Sequence, residues 1–181
     1  MFGREGYDKV TVKRLADACG VTEPAIYRHF KSKEAIYLAV LESLKGRLDY
    51  RDTFVKLENE KDVEKLLKTL AAHIIDFYSQ NADIYRLLLF AALRGHERAK
   101  RIFDMIRGTY VRFLVHQFDR LLSEKIILEK NNEITARCFI GMVFDCAMGM
   151  TLWKGMQGKA YEPSEIIANN VPIYSRGLIR D

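Results

Sequence analysis

Apolar residues recur at three- and four-residue intervals through nearly the whole chain, and this restricts it to helices. The clearest run is Val63, Leu66, Leu67, Leu70, Ala71, Ile74, Phe77 and Tyr78, which fall on one face of a 3.6-residue repeat. No strand-like alternation extends beyond a few residues, and only three prolines interrupt the chain. At 181 residues and 49% hydrophobic content there is ample material for a buried core. The expected fold class is all-α. A net charge of +5 permits an anionic partner without demanding one.

The first fifty residues read as short helices with strong punctuation. Thr11 is placed to cap a helix whose Val12, Leu15, Ala16 and Cys19 share one face, and Gly20 stops it. Thr22 then caps a second helix with Pro24 in its first turn, where a missing N–H costs nothing. Ile26 and Phe30 lie four apart and face inward with Leu15 and Cys19. Ser32 caps a third helix, whose stripe runs through Ile36, Ala39, Val40 and Leu44. Two short helices joined at a glycine turn make a helix-turn-helix, the second helix of which enters a DNA major groove.

Longer helices follow, spanning "ADIYRLLLFAALRG" to Gly95, "HERAKRIFDMIRGTYVRFLVHQFDRLLSEK", "NNEITARCFIGMVFDCAMGMTLWKGMQG" and "EPSEIIANNVPIYSRGLIRD". Pro172 is expected to kink the last or delay its start. The polar stretch from Arg47 to Lys61 is the best domain boundary, giving an expected division into 1–46 and 47–181. The run from Cys138 to Trp153 is apolar nearly all round but carries Asp145 and is shorter than the about 20 residues of a membrane span. No membrane partner is expected. "MFGREGYDKV" lacks the apolar stretch of a signal peptide, and Cys19, Cys138 and Cys146 read as free thiols of a cytoplasmic protein. No metal or other cofactor is expected. The cysteines and histidines have no ligand spacing, no Glu-x-x-His pair marks a di-iron bundle, and His73 and His116 stand alone on helices.

The segment "GYDKVTVKRLADACGVTEPAIYRHFKSKEAIYLAVL" resembles the DNA-binding region of the TetR family of bacterial transcriptional repressors. The resemblance rests on Gly6-Tyr7, Thr11-Val12, Leu15-Ala16, Gly20-Val21, Ile26-Tyr27, His29-Phe30, Ser32-Lys33-Glu34 and Leu38. One departure is visible. The family's first helix is represented only by its last turn, at Met1-Phe2. The implied architecture is an N-terminal helix-turn-helix domain followed by a helical regulatory and dimerisation bundle. The implied function is a ligand-responsive regulator, expected to be a repressor that binds a palindromic double-stranded operator and leaves it when an effector binds.

The resemblance makes Tyr27 and His29 a phosphate-contacting pair. Thr11 and Thr22 offer a hydroxyl and a helix N-terminus to phosphate, and Lys31 and Lys33 add positive charge beside them. Base reading falls to Glu23, Pro24, Ala25 and Arg28: Arg28 suits guanine, Glu23 suits cytosine, and Pro24 or Ala25 suits a thymine methyl. The alternative reading for each is a solvated surface residue, and for His29 a packing role.

The family further implies a homodimer through the last two helices and an effector pocket between the long ones. The doubly apolar helix, with Gly141 and Gly149 on nearly one side, agrees with a dimer. Pocket candidates are Phe77, Tyr78, Leu88, Phe90, Met105, Tyr110, Phe113, Phe144, Met148 and Trp153, for a small, largely apolar effector; the same residue types at this spacing also serve as plain core. Asp145 is expected to pair with a cation, to sit at the dimer interface, or to line the pocket. Two rivals remain: a helical-bundle enzyme, which would need a catalytic constellation that the sequence does not offer, and a dimerisation module without DNA binding.

Overall fold

The computed structural model describes residues 1–47, 50–152 and 161–180, without the side chains of 44 and 45. Its helices are α1 (Phe2–Glu5), α2 (Val12–Cys19), α3 (Glu23–His29), α4 (Lys33–Gly46), α5 (Arg51–Leu57), α6 (Val63–Gln80), α7 (Ala82–Leu93), α8 (Glu97–Ser123), α9 (Asn132–Thr151) and α10 (Pro163–Leu178). Among the described residues there is no strand, only an isolated bridge between Ile127 and Ile179. The fold is all-α.

Packing divides the chain into two compact units that do not follow chain order. The first joins Met1–Leu48 to Asn81–Met105, and the second joins Asp49–Gln80 to Ile106–Asp181.

In the first unit α7 packs against α1 and α4, and α2 packs against α3. Its buried side chains include Phe2, Val10, Val12, Ala16, Tyr37, Leu41, Tyr85, Leu88 and Ile102. An aromatic group fastens the helices. Tyr37 meets Phe2 and Tyr7 edge-on, with centroids 5.6 and 4.9 Å away, and its hydroxyl donates to the Leu87 carbonyl at 3.4 Å. Arg4 joins Asp83 through Nε at 2.8 Å. Gly3 sits so close to α7 that a Cβ there would collide with the backbone carbonyl of Asp83.

Leu15, Ile26, Phe30 and Cys19, expected as core, are not sealed. Cys19 is exposed, the other three are half-buried, and α3 has no fully buried residue. The reason is a cleft of about 480 Å³, apolar along most of its wall, which these four line together with Met1–Gly3, Ile36, Val40 and Leu87.

In the second unit α6 is central, packed by α5, α9 and α10. Its predicted stripe is buried throughout. The last helix starts at Pro163 and continues through Pro172, so the expected delay does not occur. The start is secured by the Glu165 carboxylate, which accepts the Glu162 N–H at 2.8 Å. Buried Ile167, Val171, Ser175 and Leu178 carry one helical face past the proline. The polar stretch read as a boundary holds α5, whose Phe54 stacks on Phe113 with ring centroids 3.9 Å apart. Trp153 lies outside the described residues.

Gly3→Ala should destabilise the first unit, because the obstacle is backbone that cannot rotate aside. The expected loss is about 1–3 kcal/mol, seen as a fall of roughly 3–10 °C in Tm by circular dichroism. An unchanged melting curve would show that α1 does not dock on α7 as described.

Candidate functional site

Three helix starts follow one another in the first unit, each closed by a hydroxyl. Thr11 Oγ1 accepts the Arg14 N–H at 3.2 Å, Thr22 Oγ1 accepts the Ala25 N–H at 3.4 Å, and Ser32 Oγ accepts the Ala35 N–H at 3.1 Å. All three capping residues are exposed. A cap satisfies one of the free N–H groups of a helix start and leaves others available to an anion. The turn between α2 and α3 depends on Gly20, whose φ of +67° is the left-handed region that glycine enters without strain. Its N–H donates to Asp17 and that of Val21 to Ala16, which closes α2 and turns the chain directly to Thr22.

On α3 and the following turn, Pro24, Tyr27, Arg28, His29 and Lys31 are exposed, while Glu23 and Ala25 are half-buried. Tyr27 keeps 47% of its surface, far more than a core tyrosine would. Exposed cations and a phenol thus share a short surface with the caps of α3 and α4.

Lys33 is half-buried, and its ammonium lies 4.2 Å from the centre of the Tyr7 ring. A lysine in a first turn opposes the helix dipole; the ring face offsets that cost and holds the charge in place. Arg14 is engaged otherwise, donating to Glu5 at 2.7 Å and to the Lys9 carbonyl at 3.1 Å. It braces α2.

The pocket residues fall in two places. Leu88, Phe90 and Met105 belong to the first unit, where Leu88 is fully buried and Phe90 is 54% exposed. Phe77, Tyr78, Tyr110, Phe113 and Phe144 belong to the second and are linked by ring contacts. Tyr78 meets Phe144 at 4.6 Å and Phe77 at 5.6 Å, and Tyr110 meets Phe144 at 6.4 Å. Phe54 bridges Tyr110, at 5.9 Å, to Phe113. The Thr53 hydroxyl is 3.1 Å from His73 Nδ1, and the His73 ring lies 5.9 Å from Tyr110. Burial pushes the Tyr110 hydroxyl well above the ordinary phenol range, so it stays protonated. Met148 is half-buried and Asp145 exposed on α9.

Sequence reasoning passed over Thr53, Phe54 and Arg107. Phe54 sat in a stretch that reads as charged linker, and only its i, i+3 relation to Leu57 hinted at a packed face. His116, noted as solitary, is exposed. Among the described residues no group of His, Cys, Asp or Glu is arranged to hold a metal. Helix α9 is, by length and composition, apolar enough to cross a membrane, but its Phe139, Ile140, Val143, Phe144 and Ala147 are buried within the second unit.

A turn fixed by Gly20, two short capped helices and an exposed basic face define a helix-turn-helix motif. Residues 1–40 match the sequence model of the bacterial regulatory proteins of the tetR family. Over this segment the chain is similar to the TetR family of transcriptional regulators. It is 29% identical over 144 residues to the nucleoid occlusion factor SlmA of Aliivibrio fischeri, an alignment covering 77% of this chain and 71% of that one. Its fold is similar to that of a TetR transcription regulator from Haloarcula marismortui, with a TM-score of 0.74, 17% identity, and 99% and 92% of the two chains covered. It is also similar to AibR, solved in complex with isovaleryl coenzyme A and operator DNA, with a TM-score of 0.63, 19% identity, and 95% and 90% covered.

If Lys33 meets a phosphate, Lys33→Ala should weaken binding to every duplex alike and flatten the salt slope by about one unit, measured by fluorescence anisotropy between 50 and about 200 mM salt. An unaltered slope would leave Lys33 as a packing partner of Tyr7 alone.

Proposed function

We propose that this protein is a repressor that binds a palindromic operator as a homodimer and is released by a small effector. The observation that carries the DNA reading is the succession of three exposed, hydroxyl-capped helix starts beside Tyr27, Arg28, His29, Lys31 and Lys33. Phosphates meet the N-termini and cations, which fixes register. Arg28, with Glu23, Pro24 and Ala25, then faces base edges. In this division of labour 1–46 reads DNA, and 47–181 senses the effector and dimerises. The protein works in the cytoplasm and catalyses no reaction.

Two features support the dimer. On α9, Ile134 is 57% exposed, with Cys138 and Asp145 exposed along the same helix; on α10, Ile173 is 65% exposed. A second copy would cover these faces, with Asp145 in or beside the contact. Gly149, by contrast, is buried within the single chain. The effector reading rests on the buried ring cluster around Tyr110 and Phe144, an apolar group with few polar atoms. AibR, which shares the fold, was solved with an acyl coenzyme A and operator DNA together.

Light scattering should give a mass twice 21.0 kDa. Ile173→Asp should shift it toward the monomer and lower operator affinity by roughly a hundredfold or more, since one half-site forfeits half of the contacts. Arg28→Ala should relax preference at one base position per half-site, at about 1–3 kcal/mol, while total binding to random duplex stays close to wild type. A monomeric wild type that binds DNA as tightly would overturn the dimer reading, and an unchanged sequence preference would remove Arg28 from base reading.

A further inference from the structure

Arg107 lies on α8 inside the second unit and is half-buried. Its Nε has no accessible surface and, among the described residues, no acceptor. The guanidinium lies against α9: Nη2 is 3.2 Å from where a Cβ on Gly141 would stand, so glycine leaves the space it occupies. Three residues along the same helix, Tyr110 has no exposed surface, and its hydroxyl also has no hydrogen-bond partner. Residues three apart share a helix face, about 4.5 Å apart along the axis.

Two donors without acceptors are therefore stacked on one face of α8. An arginine cannot discharge itself by losing a proton, and a buried donor left unpaired costs free energy that native proteins seldom tolerate. Among the described residues no carboxylate supplies the acceptor. Asp104, one turn before Arg107, and Asp145, one turn past Gly141, are both exposed, and neither forms an ion pair with Arg107. The Tyr110 ring meets those of Phe54 and Phe144, which in turn meet Phe113 and Tyr78.

Resting on the effector reading above, we infer that the effector is an amphipathic anion whose acidic head group is bound by Arg107 and Tyr110 while its apolar body lies among the rings of the second unit. A head group with two or more acceptor oxygens satisfies both donors at once, and a guanidinium suits carboxylate and phosphate alike. Gly141 keeps α9 close to the guanidinium, which couples the head-group site to that helix.

The test compares three probes with one apolar chain and different heads: decanoate, decyl phosphate and decanol, titrated by calorimetry into the dimeric protein. At least one acid should bind more than tenfold tighter than decanol, and the tighter of the two identifies the head group. Arg107→Gln should bring that acid down to the affinity of decanol while decanol itself is unaffected, and Tyr110→Phe should weaken the acid several-fold. Arg107→Lys, which keeps the charge but not the planar fork, should recover part of the preference. Decanol binding as well as both acids, or an Arg107→Gln protein that retains the preference, would overturn the anionic head group and leave the apolar pocket standing. An equal loss for decanol in Arg107→Gln would also count against it, showing a packing role. Binding of none of the three would overturn the pocket and the inference together.

Discussion

The placement of the helix-turn-helix depends on Tyr37. Only 7% exposed, it meets Phe2 and Tyr7 edge-on and donates its hydroxyl to the Leu87 carbonyl. One side chain of α4 thereby touches the turn before α2, the start of the chain and α7. Tyr7 in turn supports the ammonium of Lys33. A residue deep in the packing thus determines where a surface cation stands, and a surface cation beside a capped helix start is what an anionic partner meets first. Burial of these rings stabilises the arrangement by several kcal/mol and makes it rigid.

The helix-turn-helix was legible because its signals are local. Thr11, Gly20, Thr22 and Ser32 act within their own turns, and the structure has each hydroxyl accepting from three residues on and Gly20 in the left-handed region. The stripe of α6 was legible for the same reason: its periodicity needs no knowledge of partners. Cys19 was misread because a helical face shows which way residues point, not whether anything covers them. Of the two expectations for Pro172, the delayed start failed, because tertiary packing and the Glu162–Glu165 cap hold the helix from Pro163 on.

The second unit was less legible for a related reason. Aromatic residues at helical spacing are core by default, and ring contacts alone distinguish Tyr110 and Phe144 from Leu88, which lies in the other unit. Arg107 left no trace in the sequence, since an arginine in mid-helix reads as a solvated face. Only its orphaned Nε and the glycine opposite reveal it. Polar groups that define ligand chemistry are few, and non-local packing decides which of them are buried.

The most direct test of DNA recognition by α3 is amide mapping by NMR on addition of a short duplex carrying the operator half-sites. Shifts concentrated at Thr11–Arg14, Thr22–His29 and Lys31–Glu34, fading as salt is raised, are the expected result. Quiet resonances in α3 with shifts instead on α6 or α10 would contradict it.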